Sequence, residues 1–288
     1  MKLTLLALLP ALAISFVSCS KDNNNETPET KLSVKLSANS TLGSILVDGD
    51  GRSLYYFAND AAGANTCTGG CELVWPVFNA DNLTASVIGK GLDANDFKQI
   101  TTTSGKKQLS YKGHPLYYYA PATGGTNQQE AAGATGGEGV NGVWFVAKPD
   151  YSIMLANAQL IGHDGKSYTS AYVEGVGKTI YFTDANGITL YAFSKDKKDK
   201  NNFTKPDFSN NGVWPVFEGA VGAVPSVLDK TLFGTIDVFG KKQLTYKGWP
   251  LYYFGQDNKV QGANKGVSFP APGVWPVPVK NIAEAPVF

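Results

Sequence analysis

Short apolar and alternating runs, broken by clusters of Gly, Asn, Asp and Lys, fill most of this chain. That texture predicts strands joined by tight turns. Residues 43–57 read as strand, turn, strand, with Asp48–Gly51 supplying the positive φ angles that a hairpin requires. Residues 179–191 repeat that logic around Asp184–Gly187. In Leu54-Tyr55-Tyr56-Phe57 apolar residues fall on both faces, which predicts a central strand covered on each side. Trp75-Pro76-Val77-Phe78 reads as a short edge strand, because proline cannot donate to a ladder. Residues 91–97 read as one helical turn capped by Asp93. Strands are then expected over 97–103, 107–111 and 115–119, and a Gly/Ala/Thr-rich loop from Ala120 to Gly142 leads into Val143–Val146.

The pattern recurs. Gly105–Tyr119 returns almost unchanged as Gly240–Phe254, at an offset of 135 residues. Leu54–Asp60 matches Leu190–Asp196 at an offset of 136, and Val74–Phe78 matches Val213–Phe217 at 139. Repetition of that length marks an internal duplication. The offset drifts only where Gly, Asn, Asp and Lys are dense, so length changes are assigned to surface loops. Each repeat contains two similar halves, an aromatic strand, a polar loop and a Trp strand. Trp75, Trp144, Trp214 and Trp275 anchor the four halves, and Trp249 falls outside. The expected fold is mainly β, with two similar antiparallel repeats arranged as two β-domains or as one closed barrel or propeller-like assembly.

Composition narrows the compartment and the partners. A formal net charge of +1 with 17% charged residues gives no electrostatic surface for nucleic acid. Leu3–Val17 is too short for a membrane span, which needs about 20 residues, and suits the apolar core of a signal peptide. It ends at Phe16-Val17-Ser18-Cys19, which resembles a bacterial lipobox, in which Cys19 would be diacylated and become the first mature residue. The polar stretch that follows resembles the mature N-termini of Bacteroidetes lipoproteins, and its composition cannot bury enough apolar surface to fold. The boundaries drawn are 1–18 signal peptide, 19–40 disordered tether, 41–150 first repeat, 151–166 connection and 167–288 second repeat. Cys67 and Cys71 are the other cysteines. In an exported protein this close pair reads most simply as a disulfide, with a reactive role as the alternative.

Several motifs occur in order and more than once. Tyr-x-[Phe/Trp/Tyr]-x-x-Asp appears as Tyr55-Phe57-Asp60, Tyr191-Phe193-Asp196 and Tyr252-Phe254-Asp257, while Tyr117-Tyr119 has Ala122 in the acid's place. With Cys67–Cys71 before Trp75-Pro76, and Gly-x-x-Leu-[Ser/Thr]-Tyr-Lys-Gly-x-Pro-Leu-Tyr later, the chain resembles the bacterial "secreted repeat of unknown function" lipoproteins over residues 42–280. The resemblance implies the architecture and an envelope location, and supplies no catalytic residues.

Candidate chemistry is sparse. No nucleophile elbow, metalloprotease helix or phosphate-binding loop is present. Asp48-x-Asp50-Gly51 and Asp184-x-Asn186-Gly187 resemble the start of a calcium loop, but the distal Glu of that motif is missing and turn chemistry is the simpler reading. Asp60, Asp196 and Asp257 stand where strands end and read as turn acids. His114 has Trp249 as its repeat partner, which favours packing. No catalytic residue, metal ligand or cofactor is expected. The expectation is an outer-membrane lipid-anchored protein, periplasmic or on the cell surface. Its role would be non-catalytic, as a binder of glycan or protein or as a scaffold, with Tyr56, Tyr118, Trp249 and Tyr253 as candidate ligand-binding rings. A redox-associated or metal- or haem-handling protein and a hydrolase are the alternatives.

Overall fold

Val34 and Leu36 alternate with polar residues just before a Thr-Leu-Gly turn, and that pattern folds as a hairpin. The computed structural model of the protein describes residues 32–81 and 83–287. In it β1 (Val34–Asn39) pairs antiparallel with β2 (Gly43–Asp48), bringing Val34 opposite Asp48 and Asn39 opposite Gly43. The expected tether over 19–40 therefore ends before Val34, which is fully buried. Cys19, the expected signal peptide and the rest of the expected tether up to residue 31 lie outside the described residues.

In the first half, β3 (Tyr55–Phe57) is buried along its whole length, as a strand with two apolar faces should be. A short helix α1 (Gly70–Val74) follows, and Trp75 begins where it ends. A 3₁₀ turn over Ala94–Asp96 is capped by Asp93, whose side chain accepts from the Asn95 amide. β4 (Phe97–Thr101), β5 (Lys107–Tyr111) and β6 (His114–Pro115) form a three-stranded sheet. Within the long loop, β7 (Ala122–Thr123) and β8 (Thr126–Asn127) make a minimal hairpin. β9 (Trp144–Val146) then returns to pair with β3, Phe57 lying opposite Trp144.

The second half uses the same plan with different loops. β10 (Met154–Ile161) pairs with β11 (Ser167–Tyr168) and with β12 (Lys178–Thr183). The residues expected to be a connection, 151–166, thus contain the first strand of a hairpin, as β1 is the first strand of the β1–β2 hairpin. The two hairpins differ in their turns, residues 40–42 in one and 162–177 in the other. β13 (Tyr191–Ala192), β14 (Phe233–Val238), β15 (Lys241–Tyr246) and β16 (Trp249–Tyr252) form a four-stranded sheet in the order β13-β16-β15-β14. Residues 274–276 run beside β13, the Ala192 amide donating to the Pro276 carbonyl at 2.9 Å. Pro276 has no N–H to return, so no regular strand forms where β9 stands in the first half.

The molecule is mainly β, built from several small antiparallel sheets, and none of the described strands closes into a barrel or propeller. The described residues form one compact unit. The two halves share a core in which Tyr56 and Phe145 meet Phe182, Leu190 and Leu251, with Ile153 and Leu155 between them. The Asn157 amide also donates to the Ala58 carbonyl at 2.8 Å, tying β10 to the end of β3. Splitting the chain at 150/167 would expose this apolar surface to water. Thermal unfolding followed by circular dichroism and by Trp fluorescence is therefore expected to give one coincident transition. Residues 167–288 expressed alone are expected to give none. Two resolved transitions, or a folded fragment, would show that the halves are independent.

Candidate functional site

The repeated motif residues converge on two ring stacks. In the first half Phe57, Trp144, Trp75 and Tyr119 stack in that order, with centroid separations of 3.9, 3.8 and 4.5 Å. In the second, Phe193, Trp275, Trp214 and Phe254 do the same at 4.5, 3.7 and 4.4 Å. The Trp pairs are nearly parallel, at 1° and 10°. Tyr55 and Tyr117 stand edge-on to Trp75 and Trp144, and Tyr191 and Tyr252 stand edge-on to Trp214 and Trp275. The last four tyrosines also pair through their backbones, Tyr55 with Tyr117 and Tyr191 with Tyr252.

Each of these buried tyrosines carries a hydroxyl that must find a partner. The partner comes from the opposite half of the same stack. Tyr117 donates to Asp60 at 2.5 Å and Tyr252 to Asp196 at 2.7 Å. Tyr191 donates to Asp257 at 2.5 Å and Tyr55 to Glu130 at 2.8 Å. Asp60 also accepts from the Thr66 amide and hydroxyl, Asp196 from the Asn202 amide and Asp257 from the Lys265 amide. The three Asp residues are therefore turn acids that also hold a ring.

Glu130 fills the acid position that Ala122 leaves empty in the motif, and the sequence reading missed it. A signal was present: Gly137 follows Glu130 much as Gly266 follows Asp257. Each glycine amide donates to the tyrosine hydroxyl, at 3.3 Å to Tyr55 and 3.2 Å to Tyr191. A Cβ at either position would lie within 2.8 Å of that tyrosine ring, so only glycine fits.

Burial pushes Asp60 up to about 6 and Asp196 up to about 7, against the hydrogen bonds that pull each down. Asp257 moves in the same direction for the same reason. His114 moves the other way: burial beside Tyr56 lowers it to about 4, so it is neutral at physiological pH.

The carboxylates of the hairpin turns are tied in the same manner, nearer the surface. Asp48 accepts from the Asp50 and Arg52 amides through Oδ1 and from the Tyr118 hydroxyl through Oδ2, the last at 2.9 Å. Asp184 accepts from the Asn186 and Ile188 amides and, at 2.9 Å, from the Tyr253 hydroxyl. With both oxygens engaged by donors, these are turn acids rather than the first ligands of a calcium loop.

An open cleft of about 670 Å³ lies over the second of these turns. Asp184, Asn186, Tyr253, Asn211, Glu218 and Lys259 contribute to its lining, with Pro215 and Val216 as apolar wall. A neighbouring hollow of about 250 Å³ shares Asp184, Asn186, Glu218 and Tyr253 with it. Tyr253 is half-buried and Glu218 is paired with Lys241.

The four candidate rings therefore separate. Tyr253 lines the cleft and Tyr118 holds the corresponding place in the first half. Tyr56 is 1% exposed and packs on Phe145 and Tyr151 in the shared core, so it is no surface ring. Trp249 is half-buried, and its indole N–H donates to the Ala283 carbonyl at 2.8 Å, under the C-terminal segment. Cys67 and Cys71 are joined in a disulfide that closes on α1 and so fixes the approach of Trp75 to its stack. In the second half Phe203 stands at the position of Cys67 and packs edge-on to Trp275.

Replacing Glu130 by Ala leaves the Tyr55 hydroxyl without its carboxylate, at an expected cost of about 1–3 kcal/mol in denaturant unfolding. A cost near zero would mean that Glu130 does not do for Tyr55 what Asp257 does for Tyr191. A second expectation concerns pH. Asp196 is raised in the fold, so its contribution to stability is complete below its ordinary value of 3.8 and is lost as pH rises through about 7. His114 is depressed, and its contribution is lost as pH falls from 6.5 to about 4. Comparing wild type with Asp196→Asn cancels the histidine, which both share. The melting-temperature advantage of wild type over Asp196→Asn should be larger at pH 5 than at pH 8, and an unchanged gap would refute the raised carboxyl.

No helix among the described residues is long and apolar enough to cross a membrane. No curated protein and no solved structure matches the chain. A family model described as a secreted repeat of unknown function matches residues 36–79, 98–148 and 237–277. These segments carry Tyr55, Asp60, Trp75, Tyr117, Trp144, Tyr252, Asp257 and Trp275, while Tyr191, Asp196 and Trp214 lie between them and complete the second stack. In these three segments the chain is similar to the secreted repeats of unknown function.

Proposed function

We propose that this chain is a non-catalytic glycan-binding lipoprotein of the bacterial outer membrane. Its anchor is a lipid on Cys19, and its β fold lies in the periplasm or at the cell surface. The fold is read as two diverged copies of one unit, each with two Trp-anchored halves. The observation that carries the binding reading is the cleft of about 670 Å³ around Tyr253. Its lining combines an amphipathic ring, two amides, carboxylates and a lysine, which can meet the many hydroxyls and apolar ring faces of a sugar. The mixed charges of Glu218 and Lys259 favour a neutral saccharide over a polyanion. A non-catalytic role fits because Asp184 is already held by three donors and Glu218 is paired with Lys241, so neither carboxylate stands free to act as acid or base.

The test is thermal shift of the purified mature protein with linear β-1,4-linked hexasaccharides of glucose, xylose, mannose and N-acetylglucosamine. A ligand at about 100 times its dissociation constant adds roughly 2.7 kcal/mol to the folded state. At least one of the four is expected to raise the melting temperature, and Asn186→Ala with Lys259→Ala is expected to reduce that shift. Flat responses to all four, or a shift that the double variant leaves intact, would overturn the reading.

A further inference from the structure

We infer that the chain carries a second saccharide cleft, in the first half, built on Tyr118 and Asp48; this rests on the glycan-binding reading of the Tyr253 cleft. The two places share their construction. In each, an Asp at a hairpin turn accepts two backbone amides through one oxygen and a tyrosine hydroxyl at 2.9 Å through the other. In each, a phenylalanine packs edge-on against that tyrosine, Phe78 on Tyr118 at 5.5 Å and Phe217 on Tyr253 at 5.3 Å. In each, the tyrosine is half-buried and a cleft opens beside it.

The rims differ, and the differences set what each cleft takes. The first-half cleft is smaller, about 290 Å³. It is lined by Asp50 and Asn79 where the other has Asn186 and Glu218, and Leu32 and Ser33 also line it. Arg52 spans Asp48 and Asp50 at 3.5 and 3.2 Å, where the second half has Ile188. A cation would have to displace that guanidinium and the donors on Asp48. A neutral ligand that offers both hydroxyl donors and acceptors need displace neither. The smaller cleft covers fewer sugar units, so it is the weaker of two sites on one chain. Two sites on one molecule bind a long polysaccharide more tightly than either binds a short fragment, by mass action alone.

Isothermal titration calorimetry of the mature protein with the responding β-1,4-linked hexasaccharide tests this. Wild type is expected to show two binding events per chain. Asp50→Ala with Asn79→Ala should weaken only the weaker event, by about tenfold or more, which corresponds to losing about 1.4 kcal/mol. Asn186→Ala with Lys259→Ala should weaken only the stronger. A melting temperature within the wild-type range is the folding check on each pair of substitutions, and Asp50→Asn alone serves if the first pair lowers it. One event per chain, abolished by the Asn186/Lys259 pair and untouched by the Asp50/Asn79 pair, would overturn the second cleft and leave the glycan reading standing. Absence of binding in every form overturns both. A response of the Asp50 site to calcium chloride and to no sugar would overturn the second cleft in favour of a cation site.

Discussion

Two indole rings lying flat on one another hold each half of this protein together. Trp75 on Trp144 and Trp214 on Trp275 join segments that are far apart in sequence, and the motif tyrosines pack on them edge-on. A further ring extends the stack at either end: Phe57 and Phe193 stacked on one side, Tyr119 and Phe254 tilted by 32° and 34° on the other. Such pairs add about 0.5–1.5 kcal/mol each beyond the burial of their surface. Their geometry matters more than that sum. A stack of four rings leaves only its edges for further packing, and the tyrosines occupy those edges with their hydroxyls pointing past the indoles. The motif acid follows from this constraint. It stands three residues beyond the last motif ring because that is where the opposite tyrosine's hydroxyl emerges.

The exchange of hydroxyl and carboxylate across each stack also explains why the Tyr-x-Phe segments come in facing pairs. A single Tyr-x-Phe-x-x-Asp segment has a buried hydroxyl it cannot satisfy and a buried acid with no donor of its own. Two segments facing each other cure both defects, and the backbone pairing of Tyr55 with Tyr117 and Tyr191 with Tyr252 sets the register in which they can do so. Breaking one member strands its partner in a low-dielectric site, where an unpaired polar group is most costly.

Much of this was legible in the sequence. The aromatic strands, the Asp-Gly turns, the Asp93 cap, the four Trp anchors and the close cysteine pair all leave local marks that physical chemistry can read. What escaped was non-local or altered by loop length. β1 and β10 each open a hairpin, but a turn of residues 40–42 in one and a segment of residues 162–177 that includes β11 in the other hid the likeness. One was consequently read as tether and the other as connection. Glu130 escaped because the acid had moved within a loop while its hydroxyl stayed in place. A fixed-spacing motif cannot follow such a shift, whereas the need of the buried Tyr55 hydroxyl for a partner can. Tyr56 was misjudged because counting rings against the core of one repeat ignores the core that two repeats share.

That shared core bears on where function can reside. The position held by His114 in the first half and Trp249 in the second is covered in both, by the turn at Ala185 in one case and by the Ala283 segment in the other. The motif tyrosines and the indoles are spent on the stacks. The abundance of aromatic residues is therefore chiefly structural, and it does not by itself mark a recognition surface. Tyr118 and Tyr253 are different: each is half-buried, held by one hydrogen bond to a turn acid, and set beside an open cleft. Fixing the ring in advance lowers the entropy lost when a ligand orders it, which favours affinity without requiring a large interface. A turn acid that both closes a hairpin and orients a ring makes the proposed binding position a by-product of the fold. The rim residues differ between the two clefts, as Asp50 and Asn79 against Asn186 and Glu218 show.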